Sequence, residues 1–172
     1  SSNLDEPIED IIRRNLFQIL GNIYPGTLLS HRSAFEFQPT KTGQLFLTTS
    51  YTKKVKLPGI TIQFLSGPAP IAGDHKFSGE LSASQRARAF LENLQVTKKV
   101  GSESKCLSLP EIEERLEQII RVNGEVELNK LINSFPYLVV PGFLPPPNKL
   151  LEPPNQSVVA SPAQFIVAWS TP

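Results

Sequence analysis

Apolar residues recur with a helical period along the first segment of the chain. Ile8, Ile11, Ile12, Leu16, Ile19, Leu20 and Ile23 share one stripe, and Arg13, Arg14 and Gln18 fall opposite. The spacing predicts an amphipathic helix with Asp5 as N-cap, Pro7 in the first turn and Gly21 at its end. A short helical turn is expected from Ser30, with Ala34, Phe35 and Phe37 turned inward. The period then shortens to two. Residues 44–50 alternate, with Leu45 and Leu47 on one face and Phe46 and Thr48 on the other. Residues 53–57 alternate after them, Pro58-Gly59 reads as a turn, and residues 60–65 set Ile60, Ile62 and Phe64 on one face. These three segments predict an antiparallel meander, followed by loop through Gly67 and Gly73-Asp74.

Helical periodicity returns at 85–94, where Ala87, Phe90, Leu91 and Leu94 form a stripe behind a Ser82 or Ser84 cap. Ser108-Leu109-Pro110-Glu111 matches a capping box, and Ile112, Leu116, Ile119 and Ile120 continue it as an apolar face up to Gly124. Glu113, Glu114, Arg115 and Glu117 form its solvated side. A third helix is expected over 126–132, beginning at Glu125. The expected fold class is therefore α+β: a small antiparallel sheet of about three strands packed with amphipathic helices, over residues 1–132.

The pattern breaks at Asn133. The last 40 residues hold nine prolines and two charges, Lys149 and Glu152. Pro145-Pro146-Pro147 and Pro153-Pro154 oppose regular helix and central strand. Residues 133–172 are expected to be an irregular, Pro-rich tail, disordered or non-native, and the abrupt loss of charge suits a shifted reading frame. A polyproline recognition segment is the alternative.

Composition narrows the function classes. A formal net charge of +1 gives no global field toward nucleic acid or an anionic membrane. No apolar run is long enough to span a bilayer, and the polar start lacks the parts of a signal peptide. The single cysteine, Cys106, suits a reducing compartment, so the expected location is the cytoplasm, without a membrane. The chain holds no methionine, even at position 1, as expected of a processed product or a fragment.

Candidate chemistry is sparse. His31, His75 and Cys106 do not have the spacing of a zinc site. Ser33, His31 and Glu36 are near in sequence, but residues two apart on a helix point away from each other. No glycine-rich loop at a strand-to-helix junction ends in Lys-Ser or Lys-Thr. The expectation is no catalytic residue, no metal and no cofactor. Lys53, Lys54 and Lys56, then Arg86 and Arg88, then Lys98 and Lys99 make basic clusters, read as solvated faces and edge-strand lysines or as a modest phosphate-contacting surface.

One ordered set of motifs resembles a known group. Ile23-Tyr24-Pro25-Gly26-Thr27-Leu28-Leu29-Ser30-His31-Arg32-Ser33-Ala34 resembles a segment of AbiEi-type antitoxin proteins and of the region preceding the catalytic domain in some Fic-family proteins. The likeness continues through Gly43-Gln44-Leu45-Phe46-Leu47-Thr48, Leu57-Pro58-Gly59-Ile60 and the stretch from Ser84 to Leu94, and covers residues 8–132. The helix after Pro110 looks like the connector leading toward the Fic domain.

The resemblance implies a bacterial regulatory or toxin–antitoxin role. AbiEi-type proteins bind DNA through an N-terminal winged helix, and Fic proteins transfer a nucleotide monophosphate, usually adenylate from ATP, to a protein hydroxyl. The chain departs from both where function lies. His75-Lys76-Phe77-Ser78-Gly79-Glu80 begins like the Fic motif but lacks its acidic-Gly-Asn-Gly-Arg continuation, and it is expected in a loop. Glu92-Asn93 fits the end of the Fic self-inhibitory pattern, but Arg88 stands where Ser or Thr belongs. A winged helix is not seen.

The expected function is therefore a non-catalytic regulatory or adaptor segment, partnered by a missing downstream Fic domain or a cognate toxin, and to DNA through a missing upstream winged helix. The alternatives are a free-standing antitoxin or DNA-binding regulator, and an enzyme of another type built on His31, Arg32 and Ser33. His31, Arg32 and Ser33, with Arg86 and Arg88, are the candidate partner or nucleic-acid contacts. Capping and ion pairing with Glu36 and Glu92 is the plainer role for the same side chains.

Overall fold

The structure is a computed structural model and describes residues 5–134. The 133–172 tail lies outside them except for its first two residues. The chain divides into two compact units, Ser1–Gln85 and Arg86–Pro172.

The first unit is built on helix α1 (Ile8–Ile23) and a mixed sheet. Of the stripe, Leu16 and Leu20 are buried and Ile12 and Ile19 half-buried, while Ile8, Ile11 and Ile23 at its two ends are exposed. Two details of the expected helix are corrected. Pro7, not Asp5, is the N-cap, and its carbonyl accepts from the Asp10 and Ile11 amides. Nor does Gly21 end the helix. It is buried inside it, and a Cβ there would run into the Ser78 carbonyl oxygen. Glycine is present because another backbone comes close. On the outer face Glu6 accepts hydrogen bonds from Arg14 at 2.6 and 3.1 Å. That bond, and then the charge of Glu6, raise the Arg14 pKa, leaving the guanidinium charged at every working pH.

The strands are β1 (Leu28–Leu29), β2 (Gln44–Thr49), β3 (Lys53–Leu57), β4 (Ile60–Ser66), β5 (His75–Ser78) and β6 (Leu81–Ala83). They form one sheet in the order β3-β4-β2-β1-β6-β5. The α+β class holds, but the sheet has six strands rather than about three, and it is not a meander. β3 and β4 form the expected hairpin, with Gly59 at φ 72 after Pro58. β2, however, pairs in parallel with β4 and not with β3. Side-chain chemistry accounts for this order. β4 offers Ile60, Ile62 and Phe64 to one face and is buried between neighbours, while lysine-rich β3 takes the edge. One sheet face collects Leu29, Leu45, Leu47, Ile60, Ile62, Phe64, Leu81 and Ala83 against Leu16 and Leu20 of α1.

The segment from His75 is also corrected. It is strand β5 at the far sheet edge, not loop. The short helix after β1 is present as α2 (Ser33–Glu36), but Phe37 is 46% exposed rather than turned inward. It ends the helix in the left-handed region at φ 50, and its ring meets Phe77 edge-on at 5.7 Å.

The second unit contains α3 (Arg86–Asn93), α4 (Leu109–Asn123), α5 (Glu125–Ser134) and a single 3-10 turn. The capping box of α4 is complete, since the Ser108 hydroxyl accepts from the Glu111 amide and the Glu111 carboxylate accepts from the Ser108 amide. Ile112, Leu116 and Ile119 form its buried stripe, and α5 packs on both α4 and α3. Among the described residues no helix is long and apolar enough to cross a membrane.

Replacing Gly21 with alanine tests the close approach of α1 to β5. Alanine gains about 1 kcal/mol in helix propensity. Overpacking against a backbone oxygen costs about 1–3 kcal/mol. Gly21→Ala is expected to lower the urea midpoint, the reverse of its effect in an exposed helix.

Candidate functional site

Ser30, His31, Arg32 and Ser33, part of the first resembling stretch, follow the carboxyl end of β1. This strand pairs antiparallel with β2 (Leu28↔Thr48, Leu29↔Leu47) and parallel with β6 (Leu28↔Ser82, Leu29↔Ala83). After Leu29 the chain must leave the sheet, yet β2 continues and still presents backbone groups on that side. The Ser30 amide reaches the Phe46 carbonyl at 3.3 Å, and the Phe46 amide donates to the Ser33 hydroxyl oxygen at 2.9 Å. Ser33 thus takes the place that the next residue of a longer β1 would fill.

His31 makes the bend. Its φ is 55, in the left-handed region, where histidine is tolerated better than a bulky or β-branched residue. Its ring is buried, with Nδ1 2.9 Å from the Ser30 hydroxyl. Ser30 Oγ accepts from the Thr48 hydroxyl at 2.7 Å. With that proton supplied, the Ser30 hydroxyl has its own free to share with His31 Nδ1. Ser30 is a serine–histidine partner that spacing along the chain does not reveal. It has no exposed surface, so its hydroxyl is shielded from a substrate in this conformation.

The triad of Ser33, His31 and Glu36 is not assembled. Ser33 holds the Phe46 amide, His31 meets Ser30, and Glu36 accepts from Arg32 at 3.0 and 3.3 Å. Arg32 sits at the N-cap of α2 with its guanidinium buried against that carboxylate.

In the second unit Arg88 donates from Nε to Glu92 at 2.9 Å, with side-chain exposures of 0% and 2%. Next to this pair Asn93 spans two elements, donating to the Ala89 carbonyl and accepting from the Leu107 amide, each at 2.8 Å. Cys106 is buried, its thiol 3.5 Å from the Glu92 carbonyl. The i,i+4 spacing of arginine and glutamate made both ion pairs legible in advance.

The five expected contact residues therefore do not share one exposed face. Arg86 is exposed, whereas His31, Arg32, Ser33 and Arg88 are buried. His75 lies exposed on β5. Among the described residues no three of His, Cys, Asp and Glu converge as metal ligands, and every buried side-chain nitrogen or oxygen has a hydrogen-bond partner. Asp74, read only as loop, clamps that loop by accepting from the Ile71 amide at 2.8 Å and the Gln85 amide at 2.9 Å. No protein family, no curated protein and no solved structure matches the chain.

Two substitutions measure these roles by urea unfolding. Ser33→Ala strands the Phe46 amide and is expected to cost about 1–3 kcal/mol. Arg88→Ala removes the arginine from the buried Glu92 carboxylate, at an expected cost of about 3–5 kcal/mol. The double change Arg88→Met with Glu92→Leu is expected to recover most of that loss.

Proposed function

We propose that this chain is a non-catalytic regulatory or adaptor module of a bacterial Fic-type or AbiEi-type protein. It acts in the cytoplasm through a catalytic domain or toxin outside residues 5–134. The observation that carries this reading is the use made of the Ser30-His31-Arg32-Ser33 segment. It lies within the first of the motifs that carry the resemblance. Here Ser33 completes a strand with its hydroxyl, His31 makes a bend with its backbone and Arg32 pairs with Glu36, which are the tasks of a scaffold. The complete capping box at Ser108 adds support, since it defines a firm start for the helix that resembles a connector to a Fic domain.

The reading makes a direct biochemical demand. Incubated with labelled ATP and candidate target proteins, the purified chain is expected to transfer no label, either to a target or to itself. Robust labelling that survives denaturing gel separation overturns the proposal.

A further inference from the structure

The two edges of the sheet differ. At one edge β5 pairs with β6 through an irregular register, with a shift between Lys76 and Ser78. Such a bulge blunts an edge against further pairing. At the other edge β3 pairs with β4 in unbroken register over Lys53–Leu57. The hairpin turn has two residues, so the pairs Leu57/Ile60, Val55/Ile62 and Lys53/Phe64 exchange hydrogen bonds with each other. The amides and carbonyls of Lys54 and Lys56 then point away from β4, along the open edge.

The charge along the strands of this edge is one-sided, and Glu9 of α1 lies beside the Gly59 turn at its end. From Phe37 to Gly73 the sequence contains no aspartate or glutamate, and it contains four lysines, Lys41, Lys53, Lys54 and Lys56. Lys53, Lys54 and Lys56 are exposed, and among the described residues none of them forms an ion pair. Lys53 lies 5.8 Å from the Tyr24 ring centroid, on the α1 side of the sheet, while the Lys54 and Lys56 side chains occupy the opposite face.

We infer that β3 is a docking edge for an extended acidic peptide segment, which adds a seventh strand beside it. The backbone supplies the general attraction through the free groups of Lys54 and Lys56. The lysines supply the selection. A second copy of β3 would place lysine against lysine and is repelled, whereas a strand with carboxylates opposite Lys54 and Lys56 gains two cross-strand pairs. The favoured occupant alternates acidic residues with β-branched apolar ones, so that the apolar positions fall on the face of Val55. A nucleic-acid strand could answer the charge but not the open row of backbone groups, which is why the peptide is preferred. This inference stands apart from the regulatory reading above and survives its failure.

The test uses the full chain and a capped peptide of alternating glutamate and valine. Binding is followed by amide hydrogen exchange and by titration at low salt. The expected result is binding with slowed exchange at the Lys54 and Lys56 amides. Replacing both lysines by glutamate is expected to weaken binding by about tenfold or more. Lys56→Pro removes an outward amide without touching the ladder to β4, and is expected to abolish binding while the thermal midpoint stays close to the parent's. The same peptide N-methylated at alternate amides keeps its charge and is expected not to bind, which tests backbone pairing even if Lys56→Pro fails to fold. Equal binding of the N-methylated peptide overturns the inference, as does no binding of the unmodified one. A thymidine oligonucleotide that binds through the same lysines in place of the peptide also overturns it.

Discussion

The sheet is held together by a strand of two residues. Leu28 and Leu29 lie between β2 on one side and β6 on the other, so the β3-β4-β2 half and the β6-β5 half are joined through them. A strand this short has few ladder bonds of its own, and the chain around it makes up the difference. The Gly26 amide reaches the Glu80 carbonyl, the Ser82 amide the Thr27 carbonyl, the Ser84 amide the Leu29 carbonyl, and the Ser30 amide the Phe46 carbonyl. Ser33 then contributes its side chain where the main chain has turned away. The polar residues just after β1 are buried because they extend a strand that stops too soon.

The same economy governs the second unit. All seven residues of α3 after Arg86 are buried, including Arg88, Glu92 and Asn93. A helix buried on every side has no solvated face on which to place charge, so each charge needs an internal partner. Arg88 and Glu92 neutralise each other across one turn, and Asn93 spends both ends of its amide on backbone. Such a pair adds little net stability over an apolar substitute, but it is intolerant of losing one member. Arg88, which looks like a contact residue in the sequence, is thus held inside the fold.

What could be read from the chain depended on how local each interaction was. α4 was legible in full, because its stripe, capping box and terminal glycine are all written within its own length. The Arg32–Glu36 and Arg88–Glu92 pairs were legible for the same reason. The alternation in β2, β3 and β4 was legible, but their order was not, since the pattern shows which face is apolar and not which strand lies beside which. β1, β5 and β6 hold two, four and three residues, too few for a period to be recognised. Gly21 misled because a glycine required by a neighbouring carbonyl looks the same as one that stops a helix. The Thr48–Ser30 hydrogen bond depends on the register of two strands and could not be found from spacing along one.

The β1–β6 seam also bears on how the first unit assembles. Closing the β3–β4 hairpin brings together residues separated by a two-residue turn, whereas joining Leu28 to Ser82 closes a loop of roughly fifty residues. Chain entropy lost on closure rises with loop length, so the hairpin is the cheap step and the seam the expensive one. The long-range step ends on the shortest strand in the sheet. The barrier to folding is therefore concentrated where the chain has the fewest ladder bonds to repay it, and the buried serines and histidine after β1 help to repay that entropy.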